Sequence, residues 1–159
     1  MKRLALAGAA VLLALSGQSV HPEPISVDAI AVVDGDTIDV GPQRYRLVGF
    51  DTPEIWTRRR KVSADERALA TIVMQRLGEL LHSGPLDLTE VVCSCPASTI
   101  GTKECNGGRK CGLLALNGKN VGETLIAEEL AVPFVCGKTR CPRMPDWPKI
   151  IERQFPARR

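Results

Sequence analysis

The stretch Val32-Val33-Asp34-Gly35-Asp36-Thr37-Ile38-Asp39-Val40, continued by Gly41-Pro42-Gln43-Arg44-Tyr45-Arg46-Leu47-Val48-Gly49-Phe50 and closed by Asp51-Thr52-Pro53-Glu54, decides how this chain is read. Ile25 to Val33 is rich in β-branched residues and predicts a first strand. Asp34-Gly35 predicts a hairpin turn, because glycine accepts positive φ without steric cost. Thr37 to Val40 then reads as a second strand, Gly41-Pro42 as a turn, and Arg44 to Phe50 as a third strand. Strand alternation puts Arg44 and Arg46 on one face. Two acidic clusters therefore bracket a strand that carries an arginine.

Upstream, residues 20–27 with Pro22 and Pro24 read as a short exposed lead-in. Downstream, Ser63 with Glu66 three residues later predicts a capping box at the start of a helix. Leu69, Ile72, Val73, Leu77, Leu80 and Leu81 follow as one apolar stripe at helical spacing, and Gly84-Pro85 ends it. Leu86 to Val92 reads as a fourth strand and Cys111 to Leu116 as a fifth, ended by Asn117-Gly118. Between them lies a loop, residues 94–110, rich in Cys, Gly and Thr. Asn120 caps a second helix, with Glu123 in its first turn and Pro133 as its stop. Asp146 caps a short third helix carrying Trp147, Ile150, Ile151 and Phe155. The order of three strands, helix, two strands and helix predicts an α+β fold, a β-barrel with about three helices. It fits the OB-fold, a five-stranded partly open barrel used for oligonucleotides and oligosaccharides.

The bulk properties fit one such unit. A protein of 159 residues that is 44% hydrophobic and 25% charged has the composition of an ordinary globular domain. Aromatics are only 4%, so any platform for stacking bases is small. Lys2-Arg3, the apolar Leu4 to Leu15 and the small residues after it read as a secretory signal over residues 1–19, too short to span a bilayer. Cleavage could follow Ala14-Leu15-Ser16 or Gly17-Gln18-Ser19. The competing reading is an uncleaved anchor. Removing Lys2 and Arg3 takes the net charge from +3 to +1, because no acid precedes His21. Such a balance excludes a protein that coats nucleic acid through broad basic surface. The expected domain spans 25–135, with a C-terminal extension over 136–159.

Six cysteines, Cys93, Cys95, Cys105, Cys111, Cys136 and Cys141, follow the export signal. An even count there predicts disulfides and a periplasmic or extracellular location. Six cysteines allow 15 pairings. Cys136 and Cys141 are close enough to close a small loop, whereas Cys93 and Cys95 would reach different partners. A zinc site is the rival, but the C-x2-C spacing is absent and His21 and His82 are badly placed.

The chemistry points to the opening stretch. Asp36 and Asp51, with the Thr52 carbonyl, form an oxygen donor set for a hard divalent cation such as Ca²⁺. A lone Asp-Gly pair would ordinarily serve only a hairpin; both clusters together with Arg46 shift that reading. Arg46 offers a planar donor fork that matches a phosphate. Glu54 could take a proton from an attacking water, although most glutamates are simply exposed. Arg58-Arg59-Arg60-Lys61 is either a solvated loop or a run that attracts a phosphate backbone.

The pattern V-x-D-G-D-T followed by R-L-x-x-x-D-T-P-E resembles the signature of the staphylococcal-nuclease-like (thermonuclease) family. Gly108-Arg109, Cys111-Gly112-Leu113 and Asn117-Gly118-Lys119-Asn120-Val121-Gly122-Glu123-Thr124-Leu125 resemble the strand, turn and helix that follow that family's second catalytic arginine. The matched parts cover roughly residues 26–132. The resemblance implies that Asp36, Asp51 and Thr52 bind Ca²⁺, that Arg46 and Arg109 hold the scissile phosphate, and that Glu54 is the general base. It implies an exported monomer without stable membrane association that cleaves DNA or RNA, single strands being favoured. Two departures stand out. Asn106-Gly107 replaces a Lys-Tyr pair, and the tyrosines expected after the second helix are missing from Ala131 to Cys136. Stacking would then fall to Phe134 or Trp56, and the placement of Arg109 would depend on oxidation of the loop around it. The alternative is a non-catalytic OB-fold module that binds nucleic acid or protein.

Overall fold

The computed structural model describes residues 22–154, so the expected signal segment and Phe155 lie outside the described residues. The described residues form nine strands and three α-helices: β1 (Glu23–Ile25), β2 (Ile30–Asp34), β3 (Thr37–Val40), β4 (Gln43–Leu47), β5 (Gly49–Asp51), α1 (Ala64–Leu81), β6 (Leu86–Val91), β7 (Lys110–Leu116), β8 (Lys119–Asn120), α2 (Val121–Ala127), β9 (Val132–Phe134) and α3 (Trp147–Gln154). Six strands form a curled half-barrel in the order β1-β6-β7-β4-β3-β2, and short β8 pairs with β7. β4 and β7 run parallel while the other pairs of this sheet are antiparallel. β5 and β9 form a separate two-stranded ribbon. The fold is therefore α+β, as expected, with three helices.

Two expected strands are broken, each for a local reason. The first is interrupted at Ser26, whose hydroxyl accepts from Asp28 N and caps a 3-10 turn at Val27–Ala29. The segment before it, expected as an exposed lead-in, is strand β1 and pairs with β6. The third breaks after Leu47. Gly49 sits at φ +99, open to glycine but strained for other residues, and swings Phe50 and Asp51 out of the main sheet to pair with β9.

All three expected helix N-terminal caps hold, Asp146 Oδ1 accepting from Lys149 N at 3.3 Å. Ser63 Oγ accepts from Glu66 N at 3.1 Å, and Asn120 Oδ1 accepts from Gly122 N at 2.8 Å. The stripe of α1 buries Leu69, Val73, Leu77, Leu80 and Leu81 against the barrel, but Ile72 is 50% exposed. α2 ends at Ala127, well before Pro133. The amides of Leu130 and Ala131 turn back to the Leu125 carbonyl, with Glu129 at positive φ, and Pro133 lies in β9. α3 packs on α1 and brings Trp147, 1% exposed, into the same core as Ile38, Leu47 and Phe50. Among the described residues no helix is long and apolar enough to cross a membrane.

All six cysteines are paired: Cys93–Cys111, Cys95–Cys105 and Cys136–Cys141. Cys93 and Cys95 take different partners, although both lie beyond the end of β6, so strand alternation is not the reason.

Candidate active site

The β2–β3 hairpin, the end of β5 and the strand β4 converge on Arg46. In register, Arg46 lies opposite Thr37 of β3 on one side and Cys111 of β7 on the other. Its guanidinium spans two carboxylates: Nη1 donates to Asp36 Oδ1 at 2.6 Å and Nη2 to Asp51 Oδ1 at 2.8 Å. Asp36 and Asp51 are almost completely buried. Two carboxylates in such a place are tolerable only when paired and hydrogen-bonded, and Arg46 does both.

Further donors complete the arrangement. Thr37 Oγ1 donates to Asp36 Oδ1 at 3.2 Å and accepts from Arg109 Nη1 at 3.1 Å. Trp147 Nε1 donates to Asp51 Oδ2 at 2.8 Å. One hydrogen-bonded series thus runs from Arg109 through Thr37, Asp36, Arg46 and Asp51 to Trp147. Asp34, the other acid of the hairpin, accepts from Asp36 N at 3.1 Å as an Asx turn does. Gly35 does not use positive φ here. It is small because Thr52 and Val73 press on it: a Cβ would lie 2.7 Å from each.

Charge is concentrated at this point. Burial, then the Asp34 and Asp51 carboxylates, push Asp36 well above the ordinary carboxylate range despite Arg46. Burial works against the charge on Arg46, but Asp36 and Asp51 outweigh it and hold the guanidinium above its usual value. Glu54, half-buried, is raised by burial and by the Asp34 and Asp51 carboxylates. Arg109 is lowered by burial and by Arg46, and it feels Asp36, Asp34 and Glu54. Every candidate named from the sequence, Asp36, Arg46, Asp51, Thr52, Glu54 and Arg109, therefore falls in one electrostatic neighbourhood or is bonded to a member of it.

Two features bear on whether a cation could be held here. Four carboxylates (Asp34, Asp36, Asp51, Glu54) gather around two guanidinium groups, and with all of them ionised two negative charges would remain for a divalent cation to balance. Both side-chain donors to the Asp36 carboxylate fall on Oδ1, whereas each Asp51 oxygen already accepts one donor. Among the described residues no three acidic, histidine or cysteine side chains form a group that could hold a metal ion.

Four contributors were not legible in the sequence. Glu66 does not reach back to Ser63 as a capping box would. It is fully buried, accepts from Glu54 N at 3.2 Å, and takes both Arg60 Nη atoms at 2.6 Å. Arg60 is thereby removed from the basic run as a phosphate contact. Asn106 grips Arg109, accepting Nε on its carbonyl at 3.0 Å and Nη2 on Oδ1 at 2.9 Å. Asn106 also points its amide at Cys111 Sγ, 3.4 Å away. Trp147 is the fourth. Its only sequence signal is that it is one of two tryptophans in a protein poor in aromatics. The other, Trp56, is 68% exposed with Arg58 5.9 Å from its ring centre. No protein-family model matches this sequence, and no curated protein matches it either.

Proposed function

We propose that this protein is an exported, Ca²⁺-dependent phosphodiesterase of the thermonuclease type, built on an OB-fold, that hydrolyses DNA or RNA. The observation that carries the reading is the bridge of Arg46 between Asp36 and Asp51, with Arg109 joined through Thr37 and Glu54 beside them. Phosphate binding needs free donors, and the clamp retains them. Arg46 uses two of its five N–H groups and Arg109 three. A cavity of about 740 Å³ is lined by Arg109 with Tyr45, Lys110 and Ile100, but by none of Asp36, Arg46, Asp51 and Glu54.

Asp36, Asp51 and the Thr52 carbonyl would hold the cation, which when bound supplies Lewis acidity to a phosphoryl oxygen. Arg46 and Arg109 orient the phosphate and neutralise the charge that grows on it. Glu54 accepts a proton from water as the water oxygen bonds to phosphorus, and its raised affinity for protons makes it a stronger base. The bond from phosphorus to the leaving sugar oxygen breaks, and that oxygen takes a proton from solvent. Glu66 fixes the Glu54 amide and so the turn that presents the base. The three disulfides match the oxidising compartment that export would provide. We place the protein in the periplasm or outside the cell, as a monomer without stable membrane association.

Activity on single-stranded DNA and RNA, with Ca²⁺ and after chelation, tests this. Glu54→Gln should keep the fold and lower kcat by about a hundred- to ten-thousand-fold. A wild-type protein inert under oxidising conditions, or a fully active Glu54→Gln, would remove the proposal. One observation favours a non-catalytic binding module: the Arg46 charge is already opposed by two buried carboxylates. That reading gains if the oxidised protein binds single strands with Ca²⁺ present but leaves them intact.

A further inference from the structure

We infer that Trp147 is a positioning residue for the cation site, so that α3 is part of that site; the inference rests on the reading in which Asp51 holds Ca²⁺. A buried indole must place its N–H, and the usual partner is a backbone carbonyl or water. Here the partner is the carboxylate of a proposed ligand, at 2.8 Å and 96 residues away in sequence. The two Asp51 oxygens are divided: Oδ1 accepts from Arg46 and Oδ2 from Trp147. Rotation of a carboxylate about its last torsion is soft, so two donors on opposite oxygens are what fixes its plane.

The segment that follows α2 holds the same residue from two directions. Val132 pairs with Asp51 through the backbone in the β5–β9 ribbon, and Trp147 returns to its side chain. Cys136–Cys141 ties off the stretch that connects them. Packing alone would be served by a phenylalanine. What phenylalanine would not supply is the donor, and outer partners of metal ligands typically contribute about ten- to hundredfold in affinity.

Two variants test this, with terbium(III) as a luminescent stand-in for Ca²⁺. W56F leaves Trp147 as the single tryptophan and removes none of Asp36, Asp51 and Arg46. Excitation of tryptophan in W56F should sensitise bound terbium, and added Ca²⁺ should abolish the emission. In the W56F background, W147F should lose that emission while circular dichroism shows the fold intact, and the Ca²⁺ dissociation constant of W147F by calorimetry should rise at least about tenfold. Should W147F fail to fold, the W56F emission decides alone. Terbium that binds W56F by calorimetry without sensitised emission would overturn the inference. So would a folded W147F that binds Ca²⁺ as tightly as wild type, and that result would leave the proposed activity standing. A wild-type protein that binds no cation would overturn both.

Discussion

Gly35 shows how closely the two acidic turns are fitted together. A methyl group there would meet the Thr52 hydroxyl and the Val73 side chain at 2.7 Å, and both belong to packed, buried residues. Gly35→Ala should therefore destabilise the fold by about 1–3 kcal/mol, typical of overpacking, and it should also weaken Ca²⁺ binding because Thr52 must move. Urea unfolding and calorimetry read the two effects; a variant with the wild-type midpoint would show that the contact relaxes without cost. Arg46 carries a different lesson. Arg46→Ala would abolish phosphate binding, but it would also leave Asp36 and Asp51 buried without their partner, which typically costs about 3–5 kcal/mol. Inactivity of that variant is thus ambiguous, and Glu54→Gln, which leaves both ion pairs in place, is the cleaner probe of chemistry.

The cysteine loop acts on the site as a unit. Cys93–Cys111 closes 18 residues and Cys95–Cys105 closes 10, each contributing about 3 kcal/mol on a loop-entropy account. Asn106 sits inside the Cys93–Cys111 loop, just past Cys105, at φ +53, and holds the Arg109 guanidinium on one side and the Cys111 sulfur on the other. Reduction by a dithiol should release Asn106 and lower kcat at least about tenfold while the barrel persists by circular dichroism, and Asn106→Ala should do the same in the oxidised protein. Equal activity with all thiols free would show that Arg109 needs no such support. The sequence pointed to a dependence of Arg109 on oxidation of this loop, but not to Asn106 as the link. Elements with local signals were readable: Ser63 and Asn120 announce their helices, and the β2–β3 hairpin and the β4 arginine follow from alternation and turn chemistry. What escaped depends on distant partners or on one backbone angle. Glu66 obeys the capping rule only through its amide, since its carboxylate has a turn 12 residues earlier to hold. The departure of β5 from the main sheet turns on Gly49. Asp36, Arg46 and Asp51 were legible because they lie within one short stretch, whereas Trp147 arrives from the far end of the sequence.

Taken whole, the molecule offers little general attraction for a polyanion. Its formal charge is +3, and much of its surface charge is paired locally, as in Arg44 with Asp39, Arg76 with Glu79 and Glu128, and Lys110 with Glu90. Within the basic run, Arg60 is committed to Glu66. If the protein binds nucleic acid as proposed, its affinity would come from Arg46 and Arg109, not from counterion release over a broad face. Salt dependence separates these cases, because each phosphate neutralised on a single strand contributes about −0.7 to the slope of log K against log salt. Arg46 and Arg109 meeting one phosphate, or two neighbouring ones, predict a slope between about −0.7 and −1.4. If Arg58, Arg59 and Lys61 each held a phosphate as well, the slope would steepen by about 2 more. Fluorescence anisotropy of a labelled single strand on the Glu54→Gln protein, with Ca²⁺ held constant as salt is raised, measures it. A shallow slope places recognition in the site that the acidic turns build; a steep one that flattens when those three residues become glutamine places it on the exposed loop beyond Glu54.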